Sequence, residues 1–347
     1  MKTNKQIPGQ SDRFRLLVFV LLVFLFFFCT LLIKAQQLPQ FTQRSEAPLI
    51  YNPAVAGSVQ MPEIKLRHRN QWLGFKGAPV TQTLSYHSVF FKKVPELGPG
   101  TFFMNDYTGP LQRQTFSLAA AYHIFFGEFL VGAGMSGVFS RCAIDGNKIN
   151  TQFPDNSIYE GDYMRQKWMP NAAAGIYVYN SDFYFGLSAQ QLLPNDFTFE
   201  MPELSKNARL PQVSHYYISG GYDIGINRGV YVVSPSFLYS CVPGAPSQID
   251  INVKLEYFGT KNHYISGITC RYKDAAALLL GVRFEKYYYI AYSYDLVISS
   301  LRNVNSGSHE IMFAFTFPHQ GISISMYNLE GRNRGQIKRR IKQMRKR

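Results

Sequence analysis

Of 347 residues, 46% are hydrophobic, 15% aromatic and only 17% charged, although the formal net charge is +14. So low a charged fraction, against roughly 25% in soluble domains, excludes a disordered polyelectrolyte, and the wealth of Tyr and Phe fits the aromatic girdles of a membrane barrel or an aromatic-rich β-sandwich. The basic charge belongs to the ends: residues 1–35 carry +4 and 331–347 carry +9, which leaves +1 for the body and makes nucleic-acid binding a poor reading.

From the start of the chain, Lys2, Lys5, Arg13 and Arg15 precede an apolar run from Leu16 to Ile33, followed by Lys34-Ala35-Gln36. This reads as an export signal over 1–35 with Ala35 as its last residue. An uncleaved anchor is the alternative, because the run is long enough to span a bilayer. Residues 36–62 form a periplasmic or plug segment around Tyr51-Asn52-Pro53, where the residue before Pro is pushed out of the helical region. Beyond it, strands are predicted at 63–72, 81–91, 99–107, 114–126, 128–144, 168–179, 182–191, 211–224, 230–240, 248–258, 263–272, 275–284, 287–295 and 308–317.

That makes about fourteen antiparallel strands over 63–317, an even number, as in single-chain bacterial outer-membrane barrels. In 248–257, Ile249, Ile251, Val253, Leu255 and Tyr257 face one way, while Asp250, Asn252, Lys254 and Glu256 face the other, as lipid and a wet lumen require. In 308–317 His309, Ile311, Phe313, Phe315 and Phe317 oppose Glu310, Met312, Ala314 and Thr316. Tight connections at Gly127-Glu128 and Asn180-Ser181 contrast with polar stretches at 145–167 and 192–210, which is the turn-and-loop asymmetry of such barrels. Phe102, Phe103 and Phe116 are left unassigned to either face.

Candidate chemistry is sparse. Gly132, Gly134 and Gly137 spell a dinucleotide-type GxGxxG, but the alternation of Phe129, Val131, Ala133 and Met135 runs straight through it. A phosphate loop must instead open a helix, so these glycines are read as strand residues on the opposite face. The histidines at 68, 87, 123, 215, 263, 309 and 319 show no metal or catalytic spacing. No catalytic, cofactor-binding or metal residue is nominated, and no cofactor and no enzyme activity are expected. Cys142, Cys241 and Cys270 read as small apolar strand residues rather than a disulfide framework. Arg67 and Arg69 share a face and are expected to point into the lumen and pair there with acids such as Glu256 or Asp250.

A basic C-terminal extension, 318–347, follows the last strand. It holds Arg332, Arg334, Lys338, Arg339, Arg340, Lys342, Arg345, Lys346 and Arg347, with Ile337, Ile341 and Met344 spaced as one face of a helix. It reads as an electrostatic dock for an acidic partner or for lipid headgroups, or as a solvated tail.

Five stretches carry a family resemblance: QQLPQFTQ (36–43), YNPAVAGS (51–58), RNQWLGFKGAPVTQTLSYH (69–87), GPGTFFMNDYTGPLQRQTFSLAAAYH (98–123) and YSYDLVISSLRNVNSGSHEIMFAFTF (292–317). In them the chain resembles the PorP/SprF family of type IX secretion system outer-membrane proteins, and the basic tail departs from that pattern. The resemblance implies a Gram-negative outer-membrane barrel that assists the export or surface attachment of cargo. Its implied partners are periplasmic ring or peptidoglycan-linked components, secreted cargo or a surface adhesin, and outer-membrane lipid. It marks Tyr51, Asn52, Pro53, Gly57, Gln71, Trp72, Gly74, Phe75, Gly77 and Pro79 as motif residues of structural or partner-binding role, and brings no catalytic residue. The alternative function is passive transport of small or hydrophobic molecules.

Overall fold

The computed structural model describes residues 38–317 except 60, 89–95, 146–147, 149–162, 166–167, 200–207 and 286. The predicted leader and basic extension therefore lie outside the described residues.

Alternating side chains build the first hairpin, β1 (Glu63–Asn70) and β2 (Val80–His87), with Glu63, Lys65, Arg67 and Arg69 inside and Leu66 outside. The wall continues with β3 (Leu97–Thr108), β4 (Leu111–Phe126) and β5 (Phe129–Asp145), extended by the short β6 (Tyr163–Arg165). Next come β7 (Met169–Tyr179), β8 (Phe183–Gln190), the separate two-stranded sheet of β9 (Asp196–Phe199) and β10 (Ala208–Pro211), and β11 (His215–Tyr222), which resumes after Asp223 as β12 (Ile224–Ile226). β13 (Tyr231–Cys241), β14 (Gln248–Phe258), β15 (His263–Arg271), β16 (Ala275–Phe284), β17 (Tyr288–Val297) and β18 (Ser308–Thr316) complete the chain.

Fourteen of these strands close a ring. β11 pairs with both β8 and β13, and β1 pairs with β18, so the sheet has no free edge along its path. Closure satisfies every ladder, which is the condition for strands to cross a bilayer. Among the described residues no helix is long and apolar enough to cross a membrane. The outer face of the ring carries Ile249, Ile251, Val253, Leu255, Ile311 and Phe313, all exposed, while Asp250, Asn252, Glu310 and Met312 are buried inside.

The predicted strands match these in order. The differences are local: the run predicted to 91 ends as β2 at His87, and the run predicted from 211 starts at His215 and breaks at Asp223. The stretch 192–210, read as loop, contains most of the β9–β10 hairpin. Its Phe197 is fully buried against Cys142, Leu111, Ile144, Met169 and Leu210, so apolar packing orders what composition reads as polar loop. Phe102 faces inward, whereas Phe103 and Phe116 face out. Gly132 and Gly134 face inward, but Gly137, an odd number of residues on, faces out; parity splits the three glycines. Among the described residues Cys142 and Cys270 are free thiols, as strand cysteines outside a disulfide framework should be.

β1 starts, and β18 ends, at one mouth, here the near mouth. Asp145 and Met169, which flank one long connection, and Gln190 and His215, which flank the other, lie at the far mouth, and the tight turns at 127–128 and 180–182 lie at the near one.

Candidate functional site

The lumen is occupied by the chain's own N-terminal segment. It enters beside the far mouth, where the Leu38 amide donates to His215 Nε2 (3.1 Å), and it leaves at the near mouth, where the Phe317 amide donates to the Pro62 carbonyl (2.9 Å). Three single-turn 3-10 helices, Arg44–Glu46, Pro48–Ile50 and Pro53–Val55, fold it compactly between those points.

Its first half is held by charge. β1 lies between β2 and β18, and the register sets Arg69 opposite Glu310. Arg69 Nη2 meets Asp295 Oδ2 at 2.7 Å and its Nη1 meets Glu310 Oε2 at 3.0 Å, while Arg67 Nε lies 3.3 Å from Glu310 Oε1. The segment completes this cluster. The Thr42 amide donates to Glu310 Oε2 (2.9 Å), Thr42 Oγ1 donates to Asp295 Oδ1 (2.5 Å), and the Arg67 guanidinium donates to the Gln43 carbonyl (3.0 Å) while stacking over Phe41 at 4.4 Å. The inward orientation of both arginines agrees with the sequence reading, but their acids do not. Asp250 is taken by Arg44 of the segment (3.0 Å) and by Arg271, and Glu256 by Lys254 (2.8 Å). Ring closure explains the difference, because it makes β18 the neighbour of β1 and leaves β14 across the lumen. Burial lowers the Arg44 pKa from its ordinary value, with Asp250 opposing that shift. Lys254 also meets Glu46 Oε1 (2.9 Å), and Lys65 donates to the Glu46 carbonyl.

The second half is held by shape. Asn52 caps the third turn, accepting from the Ala54 amide (2.9 Å), and its Nδ2 donates to the Ile176 carbonyl on β7 (3.0 Å). Pro at the first position of that turn suits the fixed φ of its ring. Ser188 Oγ and Gln190 Nε2 on β8 both donate to the Tyr51 carbonyl, at 2.8 and 2.9 Å. Burial raises the Tyr51 pKa from its ordinary value, and the neutral phenol accepts from the Phe41 amide (3.3 Å). His123 Nε2 donates to the Ala56 carbonyl (2.8 Å), a tautomer that leaves Nδ1 to accept from Tyr179 (3.2 Å). The wall opposite is stripped of side chains. A Cβ on Gly134 would stand 2.5 Å from Ala54 Cα, and one on Gly175 would overlap Asn52 Oδ1. Gly98, Gly100, Gly132 and Gly186 face the same stretch.

The motif residues thus fall in two places. Tyr51, Asn52, Pro53 and Gly57 lie in the lumen. Gln71, Trp72, Gly74, Phe75, Gly77 and Pro79 form the β1–β2 connection at the far mouth. There Trp72 holds φ 52°, a left-handed conformation that costs a non-glycine residue strain. It is braced by Trp72 N donating to Ser308 Oγ (3.1 Å) and Leu73 N donating to the Gly307 carbonyl (2.8 Å). Leu73 and Phe75 are left exposed. The tail residues Arg332 to Arg347 lie outside the described residues. Sequence reading missed the seat itself, namely Gly98, Gly100, Gly175, Gly186, His123 and Gln190. Inward-facing glycine inside a strand was the available signal, since glycine there often marks the close approach of another backbone. Among the described residues no group of three His, Cys, Asp or Glu is placed to hold a metal ion.

A family model described as type IX secretion system membrane protein PorP/SprF matches residues 33–315. Among solved structures, a FadL homologue of Pseudomonas aeruginosa is 12% identical, with a TM-score of 0.47, covering 76% of this chain and 91% of that one. The Acinetobacter baumannii outer-membrane protein Omp33 is 7% identical, with a TM-score of 0.44, covering 75% and 100%. The P. putida toluene transporter TodX is 9% identical, with a TM-score of 0.41, covering 84% and 97%. No curated protein matches the sequence.

Proposed function

The chain belongs to the PorP/SprF family of type IX secretion system membrane proteins, and from that premise we propose that it is a binding component of the secretion apparatus rather than its conduit. It is an outer-membrane β-barrel. The observation that carries the reading is the inner segment. A lumen filled by residues braced to the wall through Arg69, Asp295 and Glu310 at one end, and seated on glycines at the other, leaves the two mouths and the outer surface for interaction.

Short turns belong to the periplasmic side of such barrels and long loops to the outside, which orients the near mouth toward the periplasm. On this reading the near-mouth turns and the basic extension (Arg332, Arg334, Lys338–Arg340, Lys342, Arg345–Arg347) meet periplasmic ring or peptidoglycan-linked components. The stretches 145–167 and 192–210 then meet secreted cargo or a surface adhesin. No catalytic step is required of any residue.

The test compares the extracellular proteins of a deletion strain with those of its complemented parent. Loss of many secreted proteins supports a general component, and loss of one or two large surface proteins a dedicated one. An unchanged secretome, together with solute flux through liposomes carrying the purified protein, overturns the binding reading in favour of passive transport.

A further inference from the structure

A cavity of about 160 Å³ lies between the inner segment and the wall formed by β7, β8, β11, β13 and β14. It reaches the near mouth, since Glu63, His87, Asp223 and Phe258, all at near-mouth strand ends, contribute to its lining. Tyrosines and serines dominate the wall side, among them Tyr177, Tyr184, Ser219 and Ser236. Such a lining is adaptable in hydrogen bonding and offers aromatic faces, the composition that serves peptide recognition elsewhere.

The charge is on the acidic side. Four carboxylates line the cavity, those of Glu46, Glu63, Asp223 and Glu256. Of the cations there, Arg44 is committed to Asp250, which lies outside the lining, and Glu63 is likewise shared with Arg283 from outside it (3.8 Å). Lys65 and Lys254 therefore stand against Glu46, Asp223 and Glu256, and the lining keeps a small net negative charge. A cationic group entering from the near mouth meets net negative charge and tyrosine faces together, and both favour it. The size suits a single long side chain or two, because a cavity of this order holds about one benzene ring.

The chain supplies such groups at the same mouth. β18 ends beside Pro62, and the stretch 331–347 that follows holds nine Lys and Arg and no acid. Residues 318–330 separate Phe317 from Gly331, and a chain of that length can span up to roughly 45 Å, enough to cross a barrel mouth. A tethered segment also acts at an effective concentration of about millimolar, which favours it over a free segment of like chemistry. We propose that this cavity seats basic side chains of the protein's own C-terminal extension, residues 331–347.

The inference goes beyond the secretion reading and does not depend on it: the extension rests in the cavity when no periplasmic partner draws it out. A photo-crosslinking phenylalanine analogue placed at Tyr184 in the full-length protein, purified in detergent, tests it. The expected product is an intramolecular adduct mapping to 331–347, reduced at least fivefold when Arg339, Arg340 and Lys342 are changed to Gln, substitutions that leave the barrel untouched. The same analogue at Ile176, on the outer face of β7, should give no such adduct. Adducts confined to the barrel wall or the inner segment would overturn the proposal. So would an adduct in cells that joins Tyr184 to a second polypeptide instead of the tail, an outcome that leaves the proposed binding function standing.

Discussion

The two halves of the inner segment are held by opposite means. Around Thr42 to Glu46 the wall is crowded with long charged side chains, and the segment is fixed because its amides and hydroxyls complete an ion cluster that would otherwise be short of partners. Around Asn52 to Gly57 the wall is nearly bare, and the segment is fixed because backbone meets backbone where a Cβ would not fit. Charge specifies direction and pairing, while close packing specifies shape. A segment gripped by both is fixed in depth and in rotation.

The largest expected effect comes from breaking the charged half. Arg69→Met leaves Asp295 and Glu310, each 1% exposed, without their main cation, and should cost about 3–5 kcal/mol, read as urea unfolding in lipid vesicles. A loss below about 1 kcal/mol would show that the cluster does not hold the segment. Gly134→Val presses on the shaped half, and overpacking there should cost about 1–3 kcal/mol by the same measurement. Combining the two sharpens the comparison: independent grips add to within about 0.5 kcal/mol, and a larger coupling would mean that the segment yields as one body.

Asn52→Ala removes the cap and the bond to the Ile176 carbonyl and should cost about 1–2 kcal/mol. Asn52→Asp keeps the cap but not the donor, and should fall between the two. Trp72→Gly relieves a left-handed backbone at the far mouth and should shift stability by no more than about 1 kcal/mol. An effect on secretion without one on unfolding would assign Trp72 to partner contact.

The wall was legible because each strand is a local pattern. Period-2 alternation in stretches such as 248–258 fixes which side chains meet lipid whatever the neighbours are, and the observed β14 has the same bounds. The motif Tyr51-Asn52-Pro53 was legible as a turn for the same local reason. Its seat was not, because Gly134, Gly175 and Gly186 come from three strands and meet at Asn52 and Ala54 only after the ring has closed. The β9–β10 hairpin escaped notice because Phe197 is buried by residues from β4, β5 and β7.

By itself the sequence determined the fourteen-strand wall and its inward and outward faces, since both follow from spacing along the chain, while its motif stretches carried the resemblance to the family. Only the tertiary structure decided which acids Arg67 and Arg69 meet and where Asn52 comes to rest. Those pairings depend on which strands become neighbours and on what crosses the lumen, and closure of the ring sets both.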